Sequence, residues 1–338
     1  KSKKMKKKID ITVCILNYNN GEITKKCIQS LHDLTVGISL EIIVVDNKST
    51  DNSLEILSKI NDIILIKAEY NCGFSRGNNL ALKKASGKYS ILLNNDTILK
   101  NNALKILFDF IELHPNAGAI GPQLYYFNNK KQFSYGPFRS VFERMKWEFG
   151  PELRRLISLI IPKIGIKKKD PEKQQEVKNY KIIGRPRGCA FMVKTSNMKK
   201  VGYLDEQLFL YCDETDWALR FLNEGFDNYF VGDAEIYHHW GLSTSADKDL
   251  FDLIHTSSYY KYHKKHHGYK AEILLRCSFI FGASLNFLLF LIALFNKKLD
   301  KIDELKKFKA KINKGFMFYE PIPEDTKKYL LQENKNFN

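Results

Sequence analysis

The sequence predicts an α/β fold with a mostly parallel central sheet, followed by a C-terminal helical region that associates with membranes. Two observations indicate the sheet. Short apolar runs alternate with segments of helical periodicity over the first hundred residues, and these runs are apolar throughout, as in strands covered on both faces. One observation indicates the helical region, because residues 277–295 contain no charged side chain. A chain of 338 residues can hold one large domain with an appendage.

The elements follow from local patterns. Runs rich in Ile, Val and Leu predict strands at 11–16, 41–45, 63–67, 89–93 and 188–193, with another ending at 236–239. Apolar residues at helical spacing predict helices at 22–34, 53–60, 77–85, 102–114 and from about 213 to 224, and part of a helix at 151–161. Aromatics, basic residues and prolines interrupt the alternation at 128–180. We therefore predict a catalytic domain at 1–270 with an insertion or lid at 128–180, and a helical, membrane-proximal region at 271–338.

The charge of the chain indicates an anionic partner. Lys and Arg number 54 against 38 Asp and Glu, which gives a net charge of +16. Basic clusters at 1–8, 154–173 and 261–270 are either solvated surface or sites for anionic lipid, phosphate or nucleic acid. The sequence lacks helix-turn-helix, zinc-finger and RNP-like motifs, so we expect no nucleic-acid partner. The six cysteines are scattered without a CxxC pair, which argues against zinc-ribbon and thioredoxin sites and suits a reduced, cytoplasmic protein.

Polar residues follow two of the predicted strands. Asp46 ends the second strand, where a carboxylate can accept a hydrogen bond from a pyrimidine N–H, although an ordinary polar turn would look the same. Asn94-Asn95-Asp96 ends the fourth strand, and a carboxylate there can bind Mg²⁺ or Mn²⁺ or simply form a tight turn. Ligands of such sheets bind beyond the carboxyl ends of the strands, so these residues are candidates for a site.

Three further segments could contribute to the same site. A glycine-containing loop at 71–79 would let the backbone approach a diphosphate, with Arg76 beside it. The acidic segment at 213–216 either supplies a general base or stabilises a helix N-terminus by its negative charge. His238, at the end of a strand, is either structural or a metal ligand.

Together and in this order, the motifs resemble the inverting family 2 glycosyltransferases of the GT-A fold, and within them the rhamnosyltransferase-like branch that builds bacterial surface polysaccharides. The resemblance spans roughly residues 10 to 268. It implies transfer of a sugar, with rhamnose favoured, from a dTDP- or UDP-sugar, with Mn²⁺ or Mg²⁺ as cofactor. The reaction would be a single in-line displacement that inverts the anomeric carbon.

The resemblance also implies roles for individual residues. Glu214 is the expected catalytic base with Asp213 as its alternative, and Asp96 and His238 are the expected metal ligands. Asn94 departs from the pattern, because it stands where the family's DxD motif has its first aspartate. The expected donor-binding residues are Asn17, Asn19, Asp46, Asn71, Gly73, Arg76, Asn79, Asn94 and Asn95. The expected acceptor-binding residues are Gly188, Cys189, Ala190, Asp216 and Trp217.

The expected partners are the nucleotide-sugar donor, a glycan or polyprenyl-diphosphate-linked acceptor and an anionic membrane surface, and a homodimer is left open. We expect a peripheral location at the cytoplasmic face of the plasma membrane. Residues 277–295 are an interfacial or re-entrant helix, a true span, or a helix buried against protein. The alternative function is a non-catalytic nucleotide-sugar-binding subunit of a membrane glycan assembly complex.

Overall fold

The computed structural model describes residues 8–160, 179–239, 248–295, 299–317, 321–323 and 326. Several predicted features lie outside these residues: the basic cluster before residue 8, the later half of the lid at 161–178, and Gly241 of the element that begins at His238. The described residues divide into two compact units. The first lies within Lys1–Phe138, Glu176–Phe251 and Ile322–Asn338, and the second within Arg139–Gln175 and Asp252–Pro321.

The first unit is an alternation of strands and helices, as predicted. Its strands are β1 (Ile11–Asn17), β2 (Leu40–Asp46), β3 (Ile64–Lys67), β4 (Tyr89–Asn94), β5 (Thr97–Leu99), β6 (Ala117–Tyr125), β7 (Tyr135–Gly136), β8 (Tyr180–Ile183), β9 (Arg185–Pro186), β10 (Ala190–Lys194) and β11 (Asp227–His238). Its helices are α1 (Gly21–Leu34), α2 (Ser53–Ser58), α3 (Gly73–Leu82), α4 (Ala103–Leu113), α6 (Thr195–Val201) and α7 (Asp213–Asn223). Helix α5 lies between α4 and α6 in the chain and belongs to the second unit.

The central sheet is mixed and mostly parallel, which confirms the predicted fold class. Its order is β3-β2-β1-β4-β10-β6-β11-β5, with β8 also paired to β11, and β3, β2, β1 and β4 run parallel. The predicted strand at 188–193 corresponds to β10, which is antiparallel to β4 and to β6 and so departs from the expected parallel series. The reason is its entry point. The backbone of Cys189 already contacts that of Asn94 at the carboxyl end of β4, so the chain can only run back along that strand.

The core lies on both faces of the sheet. Successive residues of one strand point to opposite faces, so Val13 packs in one apolar cluster and Cys14 in the other. The second cluster includes Phe191 and Trp217, whose rings stack with centroids 5.3 Å apart. Burying a large apolar side chain contributes about 1.5–3 kcal/mol to folding. Because both faces of the sheet are covered by apolar side chains, the polar residues at the strand ends emerge at its edge.

The predicted loop at 71–79 is wrong for most of its length, because α3 already begins at Gly73. Side-chain hydrogen bonds organise this entry. The Asn47 carboxamide donates to Asn71 Oδ1 over 2.9 Å and accepts from the Cys72 N–H over 3.0 Å, while Asn71 Oδ1 accepts from the Gly73 N–H over 3.2 Å. These contacts replace the turn that the glycines had suggested, and the chain becomes helical four residues earlier than predicted.

The second unit consists of α5 (Val141–Ile160), most of α8 (Lys248–His267), α9 (Tyr269–Ala293) and α10 (Lys301–Gly315). Helix α5 begins before the predicted start at Pro151, because Ser140 and Glu143 form a capping box with reciprocal hydrogen bonds of 2.9 and 3.2 Å. By packing, residues 252–270 belong with the C-terminal helices. The functional boundary predicted at 270 and 271 stays a prediction.

Helix α9 includes most of the predicted apolar segment and begins eight residues before it. By length and composition it could cross a membrane. Within the second unit, however, one face is buried, with Leu275, Phe279 and Asn286 almost inaccessible, while Phe281 and Leu288 lie on an exposed face. The helix therefore has one covered face and one open face, and which of the three arrangements applies stays a prediction at this point.

The start of α3 supplies a test of close packing. Gly73 has φ +76°, and a Cβ there would lie 2.4 Å from the Phe209 carbonyl oxygen, whereas Gly225 has φ +85° with nothing within 4 Å of its Cβ position. We expect Gly73→Ala to lower the free energy of unfolding by about 2 kcal/mol or more, and Gly225→Ala by about 1 kcal/mol, since only the first adds a clash to backbone strain. Urea denaturation would measure both. Equal losses would contradict the packing argument.

Candidate active site

The carboxyl ends of three neighbouring strands meet at one edge of the sheet. In the parallel pairing, Asn17 of β1 lies opposite Asp46 of β2, and Leu16 lies opposite Asn94 of β4. This register brings the predicted donor-side residues Asn17, Asp46 and Asn94 together. The edge is therefore the candidate site, in agreement with the location expected for an open α/β sheet.

Asp46 is buried and rigidly held at this edge. Its Oδ1 accepts hydrogen bonds from Asn17 Nδ2 over 2.9 Å and from the Ser49 hydroxyl over 2.6 Å, and its Oδ2 accepts from the Ser49 N–H over 3.1 Å. Ser49 also bonds Asn17 Nδ2 and the Asn19 N–H, which ties the two strand ends together. The carboxylate is thus preorganised, and Oδ2 retains capacity to accept a further hydrogen bond.

Asn17 and Asn95 belong to a hydrogen-bond network at this edge that includes Thr24. Asn17 is fully buried, and its Oδ1 accepts from the Thr24 hydroxyl over 2.7 Å, while Asn95 Nδ2 donates to Thr24 Oγ1 over 3.1 Å. The side chain of Asn19, which has a left-handed backbone (φ 54°), accepts a hydrogen bond from the Thr50 N–H. These side chains make internal hydrogen bonds that hold the edge in shape, and their predicted contacts with a donor stay predictions.

The segment around α3 contributes mainly structure. Asn79 is buried and bonds both the N–H and the carbonyl of Leu204, so it fastens α3 to the chain before α7. Gly73 accommodates the close approach of the Phe209 backbone. Arg76 is half-exposed and pairs with Glu206 over 3.3 Å, so contact with a phosphate would require it to leave that carboxylate.

Asp96 and His238 come together as predicted. His238 is paired with Thr97 in the antiparallel β5–β11 ladder, and the His239 N–H donates to the Asp96 carbonyl over 2.9 Å. As a result His238 Nε2 lies 3.5 Å from Asp96 Oδ1. That oxygen is buried and accepts no hydrogen bond. Burial raises the pKa of the Asp96 carboxyl to about 6, against smaller opposing effects from its own backbone N–H, His239 and Asn94.

Gln132 is a site residue that the sequence analysis missed. Its Nε2 donates to the His238 carbonyl over 2.6 Å, and its Oε1 lies 3.0 Å from His238 Nδ1. Burial, with the charges of Arg187 and His239, lowers the pKa of His238 to about 4, so the ring is neutral at physiological pH. No motif in the sequence marks Gln132, which lies in the predicted lid.

In the described ranges, no three His, Cys, Asp or Glu side chains gather as a metal site would require. Among the described residues Asp96 and His238 are therefore a pair, and a substrate or water could supply further ligands to a cation. A site with two protein ligands and open positions is typical of Mg²⁺ and Mn²⁺ bound through substrate phosphates.

The acidic end of α7 holds two carboxyl groups with different surroundings. Glu214 Oε1 accepts a hydrogen bond from Arg185 Nη1 over 2.8 Å, and a Cβ on Gly188 would lie 3.3 Å from the Glu214 Cβ. Burial acts to raise the pKa of Glu214, but Arg185, Asp213 and Arg187 outweigh it and hold that pKa below its usual value. Burial and the neighbouring Glu214 raise the pKa of Asp213 well above its usual range.

Arg185 and Arg187 were also missed, although both directly precede the predicted acceptor strand. Arg185 pairs with Glu214, and the charge of Arg187 lowers the pKa of both Glu214 and His238. Arg187 is anchored by a hydrogen bond from its Nε to the Phe133 carbonyl over 3.3 Å. The acidic end of α7 and the Asp96–His238 pair therefore share a basic neighbour.

Some of the predicted acceptor-binding residues are core residues. Asp216 is fully buried and paired with Arg220 over 2.9 Å, and Trp217 is fully buried with its indole N–H donating to the Gly202 carbonyl. Cys189 and Ala190 are also buried, and burial raises the pKa of the Cys189 thiol to about 12. These side chains support the site from beneath. Gly188, whose backbone faces Glu214, is the one of the five beside the candidate base.

The structural neighbours have the GT-A fold. A solved structure of GalNAc-T7 with UDP, GalNAc and Mn²⁺ aligns with a TM-score of 0.55 at 14% identity, over 91% of this chain and 55% of that one. At this identity the likeness concerns the fold alone.

Two curated relatives are similar in sequence. The low-salt glycan biosynthesis hexosyltransferase Agl10 of Haloferax volcanii is 24% identical over 67% of this chain and 65% of its own length. The poly(ribitol-phosphate) beta-glucosyltransferase of Bacillus spizizenii is 33% identical over 30% of this chain and 17% of its own length. The chain spans less than two thirds of the length of either relative.

The family model described as glycosyl transferase family 2 matches residues 12–196, which include β1, β2, β4 and the Asn94–Asp96 turn. This match covers more than half of the 338 residues. The chain therefore belongs to glycosyl transferase family 2.

Proposed function

We propose that the chain is an inverting, metal-dependent hexosyltransferase that moves a sugar from a nucleoside diphosphate donor to a hydroxyl group of a glycan or lipid-linked acceptor. The segment from Arg185 to Cys189 carries the proposal, because a Cβ on Gly188 would lie 3.3 Å from the Glu214 Cβ and the Cys189 carbonyl accepts the Asn94 N–H, two residues before Asp96. A candidate base and a candidate metal pair with a common cationic neighbour can act on one substrate. Their shared surroundings also suit a departing diphosphate, which Arg187 would attract.

A divalent cation fits the chemistry of Asp96 and His238. Gln132 must direct its amide nitrogen at the His238 carbonyl, so its oxygen faces Nδ1, which then carries the ring hydrogen. In that tautomer Nε2 presents a lone pair 3.5 Å from Asp96 Oδ1, an oxygen that accepts no hydrogen bond. Two acceptor atoms that face each other favour a cation between them. When bound, Mn²⁺ or Mg²⁺ would offset negative charge on the diphosphate leaving group.

Glu214 is the better candidate for the base. The Asp213 carboxyl is buried, and its Oδ1 accepts the Glu214 N–H over 2.8 Å, so Asp213 positions the first turn of α7. The pKa of Glu214 lies below its usual value, so it is charged at neutral pH and can accept the proton of an acceptor hydroxyl. The hydroxyl oxygen would attack the anomeric carbon as the bond from that carbon to the diphosphate breaks.

The proposed donor is dTDP-rhamnose or a UDP-hexose, with rhamnose favoured by the resemblance to the rhamnosyltransferase-like branch. Asp46 Oδ2 can accept the ring N–H of either uracil or thymine, so this residue supports both nucleotides. The relative Agl10 is named as a hexosyltransferase of glycan biosynthesis, which supports a growing or polyprenyl-linked glycan as the acceptor. We propose a peripheral location at the cytoplasmic face of a membrane, where a lipid-linked acceptor would be available.

A pair of conservative substitutions tests the reaction. Glu214→Gln keeps the size of the side chain but cannot accept a proton, so we expect kcat to fall about 10²–10⁴-fold. Asp96→Asn should abolish stimulation by Mn²⁺. Release of nucleoside diphosphate from dTDP- and UDP-sugars, with membrane extracts as acceptor source, would measure both effects. Glu55→Gln, an exposed change on α2, is the matched control.

Donor binding without turnover by the wild-type protein would instead favour the non-catalytic subunit. Turnover by Asp96→Asn that equals wild type would remove the metal assignment. Thermal stabilisation by the nucleotide would establish that each variant is folded.

Gln132→Leu tests whether the amide sets up His238 for a metal. The substitution removes both hydrogen bonds to His238, so we expect Mn²⁺ affinity to fall about 10–100-fold, measured by calorimetry without substrate. Gln29→Leu is the matched control, because Gln29 is an exposed glutamine of α1 that bonds Asp33. The same loss of affinity in both variants would show a general effect on folding.

Arg185→Met tests the assignment of the base through pH. Arg185 helps to hold the pKa of Glu214 down, so its removal should move the acidic limb of the kcat/KM profile to higher pH. In Arg185→Met, the loss of folding stability at acidic pH should likewise begin at a higher pH. The contribution of the depressed Glu214 pKa is present above its unfolded value and is lost as pH falls through the folded one. An acidic limb that does not move in Arg185→Met would exclude Glu214 as the titrating base.

A further inference from the structure

Helix α9 leaves one apolar face uncovered within the second unit. Six large side chains on this face are each between 41% and 48% exposed: Ile273, Leu274, Phe281, Phe287, Leu288 and Leu291. They recur at spacings of three, four and seven residues and so form a single row, here named the α9 stripe, about 27 Å long at 1.5 Å per residue. Continuous apolar surface of this kind is uncommon on a soluble protein and marks an interaction site.

The opposite face of α9 makes a transmembrane arrangement untenable. Asn286 is fully buried and donates to Glu304 Oε2 over 3.2 Å, and Glu304, also fully buried, pairs with Arg155 of α5. A Cβ on Gly282 would lie 2.9 Å from the Glu148 carbonyl oxygen, so α5 and α9 touch backbone to backbone. If α9 crossed a bilayer, these charged neighbours would enter hydrocarbon with it, which membranes disfavour strongly.

The chemistry of the stripe fits hydrocarbon better than a protein surface. Between Cys277 and Phe295 there is no charged residue. Ser284 lies on the exposed face, and its hydroxyl already donates to the Ile280 carbonyl over 3.1 Å. Protein interfaces carry about one hydrogen bond per 100–200 Å², which this face is poorly equipped to supply, whereas lipid tails require none.

The excess of positive charge in the helices around the α9 stripe favours a lipid surface with anionic headgroups. Residues 252–295 and 299–317 contain eleven lysines and arginines against five aspartates and glutamates. Lys264 and Lys265 are exposed just before α9, and Lys306 and Lys309 are exposed on α10. Helix α10 borders the stripe, because the rings of Phe287 and Phe308 lie 5.3 Å apart. Exposed lysines on the helices next to an apolar row are typical of a helix that lies in a headgroup layer.

We propose that the α9 stripe docks the second unit on an anionic bilayer, with α9 parallel to the membrane plane and its lysine neighbours at the headgroups. The partner is a lipid surface containing acidic headgroups. This inference deepens the peripheral location proposed above by naming the surface that docks, and it would hold whatever sugar the first unit transfers.

Sedimentation of the full chain with vesicles tests the proposal. We expect binding to phosphatidylcholine vesicles that contain phosphatidylglycerol, and much weaker binding to phosphatidylcholine alone. Leu288→Glu places a charge in the stripe and should weaken binding about tenfold or more. Leu113→Glu is the matched control, because Leu113 is an equally apolar, exposed residue in the first unit. Circular dichroism would check that both variants are folded. Equal binding by Leu288→Glu and wild type would overturn the proposal.

Two further measurements test the alternatives to docking in the membrane plane, which are a membrane span and a contact with a second copy of the chain. Cys277 is the one exposed cysteine among the six, so a fluorophore attached there reports its depth. Quenching by lipids labelled near the headgroup supports docking in the plane, whereas quenching strongest at the bilayer centre would indicate a span and overturn it. A dimer without vesicles that Leu288→Glu converts to monomer, seen by light scattering, would identify a second copy as the occupant and overturn the lipid assignment.

Discussion

The candidate site depends on one backbone contact, the 2.9 Å hydrogen bond from the Asn94 N–H to the Cys189 carbonyl. It joins the start of β10 to the carboxyl end of β4. The chain before β10 must therefore cross the same edge where the donor-side residues emerge. That crossing places Gly188 against Glu214, and the charge of Arg187, the residue before it, acts on both Glu214 and His238. Without an antiparallel β10, the base and the metal pair would belong to different parts of the sheet.

The same region contains unfavourable features that the surrounding fold has to support. Tyr211 and Cys212, directly before α7, both have left-handed backbones, each of which costs about 1–3 kcal/mol for a residue other than glycine. Asp96 and Asp213 are buried carboxyls with raised pKa values. Strained backbone and buried carboxyls with perturbed pKa values are typical of a functional site, and two apolar clusters support the sheet that carries these residues.

The strands β1 to β4 could be predicted because each is a short apolar run whose environment is the same on both faces. Other features depend on contacts between distant segments. Gly121 and Pro122 argue against a strand, yet β6 forms there because Gly121 lets Pro186 approach closely. Asp216 looks like a site carboxylate in the sequence, and only the pairing with Arg220 reveals it as a core residue. Gln132 could not be found, since nothing local distinguishes a glutamine that contacts a histidine a hundred residues away.

The charges of the site are consistent with a diphosphate substrate. Arg185 neutralises Glu214, which keeps the carboxylate ionised although it is buried, and Arg187 adds a positive charge beside His238. The low pKa of His238 matters here, because a protonated ring would repel a cation and occupy the nitrogen that faces Asp96. Burial that keeps the ring neutral and a hydrogen bond that fixes its tautomer therefore act together. Both keep Nε2 an acceptor on the side of Asp96, and an added diphosphate would complete the balance of charge around a bound cation.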